Sequence, residues 1–412
     1  MVPVAPDRAG ELAIEVELGF AGEEPVRLPF ATAEALVVPP SGEPRPPAGA
    51  PAPRVAICMA THEPDPALFR MQIESLRAQT HGDWTCFISD DGSSDRAVEA
   101  IRATIADDPR FRFHRDERVG FYRNFERALR LVPPGYDLIG LSDQDDRWHP
   151  AKLERLLAAI GDATLVHSDA RMADPEGRQV APDLWSGRHV DQADFASLLF
   201  ANTVAGSASV FRTTLLETIL PFPDGPGLLF HDHWIGMAAL ATGPVAYVDE
   251  PLYDYTQHTG AVTGGSEPEP DGVPRSASAA LRRLDAWRSS YFRVYVQLKI
   301  QALTLLARSP GRLAPGRREV LERVVAAESS WSATMWMAAR LARAGAGRDQ
   351  TLGAESLSVR GLAWKRLIRL GRPVPGRYWP KSLGTALEPL DLDRTSTRRA
   401  RRWRDRRRGQ AK

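Results

Sequence analysis

The densest group of chemistry-bearing side chains is a run of three carboxylates within four residues, Asp143-Gln144-Asp145-Asp146. Carboxylates this close repel one another unless a positive charge lies between them. Hard divalent ions such as Mg²⁺ and Mn²⁺ meet that need through oxygen ligands, usually shared with substrate phosphates. The alternative is an acidic loop that caps the helix expected after Asp146, and the run alone leaves both interpretations open.

A second acidic run is Asp90-Asp91-Gly92-Ser93. By itself it is equally compatible with a turn that ends in a capping Ser or Asp. Both acidic runs, however, directly follow unbroken apolar stretches, Trp84 to Ser89 and Leu138 to Ser142. Ligands of open α/β sheets bind at the carboxyl ends of the strands. We therefore expect the two runs to meet at one ligand site.

The elements that position these runs alternate regularly between residues 55 and 168. The apolar stretches lack the alternation of polar and apolar residues, so both faces of the sheet should be covered. This pattern predicts an α/β, doubly wound, mostly parallel sheet with right-handed crossovers. Strands are predicted at 55–60, 84–89, 111–114, 138–142 and 165–167, with helices after each of the first four and a further strand at 245–248.

The composition is that of an ordinary globular protein. Among 412 residues, 53 Lys and Arg oppose 52 Asp and Glu, and 43% of residues are hydrophobic. A wholly disordered chain, a coiled coil and a collagen-like fibre are thereby excluded. The two cysteines, Cys58 and Cys86, are too few for a disulfide scaffold or a cysteine-based zinc site and are expected to be small buried residues.

The chain divides into five regions by composition. Residues 1–38 form an N-terminal extension with short predicted strands, and 39–53 a proline-rich linker. The α/β domain should span 54–265, and 278–393 a helical C-terminal region. The tail, 394–412, carries a net charge of +9, so the remaining 393 residues carry −8.

Five motifs in a fixed order resemble those of family-2 glycosyltransferases of the GT-A fold, in their rhamnosyltransferase-like subgroup. They cover about residues 54–265, and together they are far more specific than any one alone. The motifs are Ser89-Asp90-Asp91-Gly92-Ser93-Ser94-Asp95, Arg123-Asn124-Phe125-Glu126, Asp143-Gln144-Asp145-Asp146-Arg147-Trp148, His231-Asp232-His233-Trp234 and Tyr255-Thr256-Gln257-His258. The resemblance implies a Rossmann-like GT-A sheet with a helical C-terminal extension.

The resemblance also implies a role for individual residues. Asp145 and His258 would hold Mn²⁺ or Mg²⁺ at the donor diphosphate, and Asp232 would be the general base. One base without a protein nucleophile implies a single displacement with inversion. The nucleotide-sugar would be bound by Thr61, Glu63, Asp90, Asp91, Arg123, Asn124 and Asp143. The acceptor side would contain Asn202, Gly206, His231 and Trp234.

The function implied is transfer of a sugar from a nucleotide-diphosphate donor to a saccharide or lipid-linked acceptor, in cell-surface polysaccharide synthesis. Rhamnose is the first donor sugar suggested, on family analogy alone. Two alternatives stay open: a catalytically inactive carbohydrate- or nucleotide-binding scaffold, and a phosphoryl-transfer enzyme with an aspartate nucleophile. A zinc site at His231 and His233 is disfavoured because an i, i+2 pair lacks helical ligand spacing.

The expected location is the cytoplasm, because no stretch approaches the roughly 20 apolar residues that span a bilayer. The basic tail would suit contact with anionic lipids at the inner face of the membrane, at roughly 1 kcal/mol per basic residue. Nucleic-acid binding is not expected, since no aromatic or fold motif accompanies the tail.

Overall fold

The computed structural model describes residues 10–18, 26–35, 52–181, 194–225, 229–257, 286–345 and 354–369. Most of the expected linker, the basic tail at 394–412, and His258 lie outside these residues. The chain forms two units, 1–364 and 365–412, and the second is described only over its first five residues. Among the described residues, no helix combines the length and apolar character needed to cross a bilayer.

The described part of the N-terminal region contains two strands. Strand β1 (Gly10–Leu18) pairs antiparallel with β2 (Val26–Ala35), and the register shifts between Ile14 and Glu15. The two strands form a separate two-stranded sheet.

The main sheet has nine strands and is mixed, since four of its strand pairings are parallel and four are antiparallel. The elements of its first half are β3 (Val55–Thr61), α1 (Pro66–Arg77), β4 (Trp84–Asp91), α2 (Asp95–Ile105), β5 (Phe111–Asp116), α3 (Phe121–Arg130), β6 (Leu138–Ser142), β7 (Arg147–Trp148) and α4 (Lys152–Ala159). The second half adds β8 (Leu165–Ala173), β9 (Gln179–Ala181), α5 (Phe195–Phe200), β10 (Ser209–Arg212), α6 (Leu216–Ile219), α7 (His231–Thr242) and β11 (Val245–Thr256).

The strand order is β5-β4-β3-β6-β10-β8-β11-β7, with β9 paired to β8. Strands β3 to β6 run parallel, whereas β10 lies antiparallel between β6 and β8. The first strand of this sheet in chain order, β3, thus lies in its interior. The chain adds β4 and β5 on one side of β3 and then continues with β6 on the other side. The point between β3 and β6 is the topological switch point at which such sheets bind ligands.

Both faces of the sheet are covered, which explains the unbroken apolar strands. On one face Val55, Ile57 and Met59 pack with side chains of α1, α2 and α4. On the other, Ala56 and Cys58 pack with α3, α5 and α7. Both cysteines are free and buried, as expected. The α/β fold class predicted from the sequence is confirmed.

The C-terminal region is helical in its described parts. Residues 286–290 are helical and continue into a π-helical segment, Tyr291–Val296. It is followed by α8 (Gln297–Arg308), α9 (Arg317–Ala326), α10 (Trp331–Gly345) and α11 (Ala354–Arg369). Tyr295, Leu305 and Leu362 extend the core on the α7 side of the sheet.

Candidate active site

The candidate site lies where β3, β4 and β6 end side by side. Thr61 is the last residue of β3, Asp90 pairs with it on β4, and Asp143 directly follows β6. A bridge spans the switch point, because the His62 amide donates to Gln144 Oε1 at 2.9 Å. The two acidic runs therefore meet at the carboxyl ends of neighbouring strands, as the strand pattern predicts.

Asp90 is held by three hydrogen bonds. Its Oδ1 accepts from the Thr61 hydroxyl at 3.2 Å and from the Ser93 hydroxyl at 2.5 Å, and its Oδ2 accepts from the Ser93 amide at 3.0 Å. The carboxylate is fully buried. Its expected contact with the base of a nucleotide stays a prediction.

Glu63 shapes the turn that leaves β3. Its backbone has a φ of 43°, in the left-handed region that non-glycine residues rarely adopt. The carboxylate accepts from the backbone and the hydroxyl of Ser94, and these bonds hold the pKa of Glu63 below its usual value. The side chain thus ties the end of β3 to the start of α2.

Asp91 and Asn124 form hydrogen bonds with backbone groups of the protein itself. Asp91 accepts from the amides of Val119 at 2.6 Å and Gly120 at 2.8 Å. Asn124 donates to the carbonyls of Thr61 and Ser89 and accepts from the Ser89 hydroxyl at 2.7 Å. Both side chains are at most 2% exposed. Their geometry favours holding the strand ends in place over contacting a nucleotide directly.

Arg123 points to the segment after the cis Leu220-Pro221 bond. It donates to the carbonyl of Phe222 at 2.9 Å and forms ion pairs with Glu126 and Asp224. These carboxylates outweigh the cost of partial burial and raise the pKa of Arg123. A guanidinium engaged in this way carries little unpaired charge for a diphosphate.

Asp143 is clasped by a serine from a different part of the chain. Ser207 Oγ donates to Asp143 Oδ2 at 2.8 Å and accepts from the Asp143 amide at 3.0 Å. Burial and the neighbouring charge of Asp145 raise the pKa of Asp143 to about 7, with a smaller contribution from Asp232. The last contribution places the charge of Asp232 within electrostatic reach of the acidic run.

A lysine lies beneath the acidic run. Lys152 is fully buried, and its Nζ lies 3.4 Å from the centroid of the Trp148 ring and donates to the Ser207 carbonyl. Burial lowers the pKa of Lys152, while the charges of Asp146 and Asp143 act in the opposite direction. Asp146 is also buried, and its Oδ1 accepts from the Thr256 amide at 3.3 Å. Asp146 is thus part of the support beneath the site.

The remaining question is whether these residues fit a divalent metal. In the described parts of the chain, no group of three His, Cys, Asp or Glu side chains is arranged to hold one. The donor set nevertheless fits, because the half-buried carboxylates of Asp143 and Asp145 are hard oxygen ligands whose mutual repulsion a cation would relieve. Such an ion would need further ligands from the substrate. His258, the other expected ligand, lies outside the described residues.

The expected general base, Asp232, lies in the first turn of α7. Its carboxylate accepts from the His233 amide at 2.7 Å, from the backbone of Gly206 and from the side chain of Asn202. These bonds lower the pKa, but burial outweighs them and raises the pKa of Asp232 to about 6. A base with this pKa is largely ionised at neutral pH and still able to take a proton.

Gly206 is required by its surroundings. A Cβ at this position would lie 2.8 Å from His231 Nε2 and 3.3 Å from Asp232 Cβ. His231 stacks on Phe125 with ring centroids 3.5 Å apart and planes 15° apart. Its burial lowers the pKa to about 3, so the imidazole is neutral. The close approach of Gly206 and Asp232 brings two of the expected acceptor-side residues, Gly206 and Asn202, next to the expected base.

Trp234 has a different place from the one its motif suggests. Its side chain is fully buried, and the indole Nε1 donates to the Ile219 carbonyl at 3.0 Å. The ring belongs to the core between α6 and α7, and this burial does not favour an acceptor contact. The apolar spacing of α7 could have indicated this, since Trp234, Met237 and Ala238 share a buried face.

Sequence reasoning missed two residues of the site, Ser207 and Lys152. Ser207 lies in the small polar segment Asn202 to Ser209, which was expected to face the acceptor, but its pairing with Asp143 across 64 positions has no local signal. In the sequence alone, Lys152 is an ordinary residue of the first turn of α4. A lysine six positions after three acids is a weak signal that only the fold makes meaningful.

The region that contains most of the candidate site is similar to a known protein family. Residues 57–220 match the family model described as Glycosyl transferase family 2. An uncharacterized protein of Sinorhizobium fredii is 32% identical over 42% of this chain and 19% of its own length. A PGL/p-HBAD biosynthesis glycosyltransferase of Mycobacterium tuberculosis is 28% identical over 36% of this chain and 56% of its own length. The chain thus spans well under two thirds of these curated relatives.

Among solved structures, Staphylococcus aureus TarS 1-349 in complex with UDP-GlcNAc is 13% identical with a TM-score of 0.46, covering 77% of this chain and 92% of its own. A mannosyltransferase of Pyrobaculum calidifontis in complex with GDP-Man and Mn²⁺ is 15% identical with a TM-score of 0.41, covering 77% and 87%. Neither likeness bears on what this chain binds. The family match covers residues 57–220, less than half of the chain, and the rhamnosyltransferase-like subgroup stays a prediction.

Proposed function

We propose that this chain is a metal-dependent, inverting glycosyltransferase that moves a sugar from a nucleotide-diphosphate donor to a hydroxyl of a saccharide or lipid-linked acceptor. The observation that carries the proposal is the turn at Gly206 and Ser207, because Ser207 donates to Asp143 of the acidic run at 2.8 Å and a Cβ on Gly206 would lie 3.3 Å from the Cβ of Asp232. This arrangement supports a base on one side of a cleft and a phosphate-binding acidic loop on the other. The family-2 match of residues 57–220 supports the same reaction class.

In the proposed reaction, the acceptor oxygen forms a bond to the anomeric carbon while the bond from that carbon to the diphosphate oxygen breaks. The proton of the acceptor hydroxyl passes to Asp232. Its hydrogen bonds from Gly206 and His233 fix the carboxylate in place before the acceptor binds. A single displacement inverts the configuration at the anomeric carbon.

On the donor side, Asp90 with Thr61 and Ser93 forms a rigid wall for the nucleotide, and Asp143 is held by Ser207. Asp145 and His258 are the proposed protein ligands of Mn²⁺ or Mg²⁺, which would supply Lewis-acid stabilisation to the leaving diphosphate. Asp91, Asn124 and Arg123 support this wall from behind through the contacts described above.

The finer assignments rest on the family resemblance. A rhamnose donor, a role in cell-surface polysaccharide synthesis, and contact of the basic tail with anionic lipid at the inner membrane face are proposed on that ground. The first donor to be tried is dTDP-rhamnose.

The decisive experiment incubates the full chain with Mn²⁺, a panel of nucleotide sugars and saccharide acceptors, and measures released nucleotide. Asp232→Asn should abolish transfer while donor binding, measured by calorimetry, is unchanged, because the amide cannot take the proton. Asp249→Asn, at an exposed carboxylate outside the site, is the matched control and should transfer at the wild-type rate. Wild-type transfer by Asp232→Asn would refute the assignment of the base. A covalent aspartyl-phosphate would instead indicate phosphoryl transfer, and nucleotide-sugar binding without turnover a scaffold.

A further inference from the structure

A pocket of about 130 Å³ lies beside the first turn of α7, between α5, α7 and the helix that contains the π-helical segment. Its walls are mixed: Leu199, Phe200, Phe230 and Val294 contribute apolar surface, and His233, Arg293, Gln297 and Gln301 contribute polar groups. The proposed function does not use this pocket. Its volume is close to that of an engineered apolar cavity of about 150 Å³ that binds benzene, so it suits one six-membered ring.

One polar group of the pocket lacks a partner. Gln297 is 93% buried, and neither its Oε1 nor its Nε2 has a hydrogen-bond partner among the described residues. A buried amide left unpaired carries a penalty that a ligand atom could remove. The amide lies against Gly225, where a Cβ would come within 1.7 Å of Oε1, so glycine is the residue that leaves room for it.

The backbone at the pocket is also unusual. The segment Tyr291–Val296 is π-helical, and Gln297 directly follows it. π-Helical turns are rare and occur frequently at functional sites. Here the turn contributes Val294 to the pocket wall, and the exposed Arg293 also lines it. Helix α11 packs closely on this turn, since a Cβ on Gly361 would come within 2.6 Å of Tyr291 Cα.

The pocket adjoins the proposed base rather than the nucleotide wall. Phe230 and His233, which both line it, flank Asp232 in the chain. The amide of His233 donates to Asp232 Oδ1 at 2.7 Å, and its Nε2 lies 2.6 Å from the Leu198 carbonyl at the wall of α5. Two residues that line the pocket thus lie within two positions of the proposed base on α7.

We propose that the pocket binds a ring-sized apolar group of the acceptor, such as an aromatic aglycone, and that Gln297 hydrogen-bonds to a hydroxyl on that ring. The proposal rests on the proposed function, because it identifies the bound molecule as the acceptor. It deepens that function by predicting acceptors with an aromatic or similarly compact apolar group beside the sugar.

The test uses phenol and toluene as probes, which are similar in size and differ in the hydroxyl. Their binding to the full chain is measured by ligand-observed NMR titration. Phenol should bind at least about five-fold more tightly than toluene, because it pairs with the Gln297 amide. Gln297→Leu keeps the side-chain volume and should remove this preference. Val294→Phe should fill the pocket and abolish binding of both probes.

Val180→Phe is the matched control, since Val180 is 54% exposed on β9 and the same volume is added away from the pocket. It should bind phenol as the wild type does. Equal affinity for the two probes, or wild-type phenol binding by Val294→Phe, would overturn the proposal. Circular dichroism of each variant separates loss of the pocket from loss of the fold.

Transfer assays test whether the pocket belongs to the acceptor. For a sugar that is accepted, the phenyl glycoside should have a KM at least about five-fold lower than the methyl glycoside, and Val294→Phe should remove the difference. Equal KM values in the wild type would overturn the acceptor role. Failure of the proposed function has a different signature, because nucleotide-sugar turnover would be absent while phenol binding and its sensitivity to Val294→Phe persist.

Discussion

Replacing Gly206 by alanine should damage both the stability and the activity of the protein. The added Cβ would lie 2.8 Å from His231 Nε2, whereas ordinary van der Waals contact begins near 3.4 Å. One side must move by about 0.6 Å. The imidazole cannot retreat easily, because it is stacked on Phe125 at a centroid distance of 3.5 Å. The strain is therefore transmitted to the first turn of α7, where Asp232 lies.

The expected magnitudes follow from this geometry. Overpacking of a filled site costs about 1–3 kcal/mol, so the free energy of unfolding should fall by that amount. Displacing a catalytic group by a fraction of an ångström to about 1 Å costs up to about 100-fold in rate. We expect kcat to fall between about 10- and 100-fold, because the strain displaces Asp232.

Gly82→Ala is the control. No atom lies within 4 Å of a Cβ at Gly82, so this variant makes the same chemical change without contact. Chemical denaturation gives the free energy of unfolding of both variants, and steady-state nucleotide release gives kcat and KM. If Gly206→Ala has the stability and kcat of Gly82→Ala, the close approach of Gly206 to α7 does not matter and the reasoning fails.

Further predictions concern charge and hydrogen bonding at the site. Activity should rise with pH through about 6 and fall about tenfold per pH unit below that value. The reason is that Asp232 must be deprotonated and that burial raises its pKa to about 6. A pH profile of kcat/KM tests this prediction, and a flat profile from pH 5 to 7 would contradict it. Asp145→Ala should lose metal-dependent donor binding, measured by calorimetry with and without Mn²⁺, and unchanged affinity would remove Asp145 from the proposed ligands. Asn124→Leu should lower the free energy of unfolding by about 1–3 kcal/mol, since it leaves the Thr61 and Ser89 carbonyls unpaired; a denaturation midpoint equal to that of the wild type would show that those bonds contribute nothing. Lys152→Met should weaken donor binding, because it removes the Nζ that donates to the carbonyl of Ser207, the residue that holds Asp143. A calorimetric affinity for the donor equal to that of the wild type would argue against this support.

Much of the fold could be predicted because its strands are buried on both faces. Strand β3 was predicted at 55–60 and ends at Thr61, and β6 was predicted with its observed bounds, Leu138–Ser142. Strand β4 continues through Asp90 and Asp91, which were expected to form a turn, because hydrogen bonds from Ser93, Val119 and Gly120 satisfy both carboxylates inside the sheet.

Strand β10 was not predicted. It has only four residues, Ser209–Arg212, and it lies antiparallel between β6 and β8, which are distant in sequence. Nothing local marks such a strand, since its apolar residues also suit a loop against the core. Strand β8 extends to Ala173, six residues beyond the prediction, because its polar residues His167, Ser168 and Asp169 are buried.

The sequence predicts the types of residue at the site better than it predicts the contacts between them. The two acidic runs were expected to meet, and the strand order brings them together at the switch point. The sequence could not distinguish residues proposed to contact the nucleotide from residues that support them. Asp90 and Asp91 are adjacent in one motif, yet Asp91 holds a neighbouring turn. That distinction depends on backbone amides contributed by other parts of the chain.

The short turn at Gly206, Ser207 and Ala208 has a consequence for redesigning this protein. Ser207 fixes Asp143 on one side, and Gly206 abuts Asp232 on the other, so three consecutive residues set the spacing between both reacting partners. Helix α5, which precedes this turn, lines the proposed acceptor pocket and is the element to exchange when the proposed acceptor preference is to be changed. Such a chimera should keep these three residues unchanged, since any shift there would misalign the two halves of the reaction together.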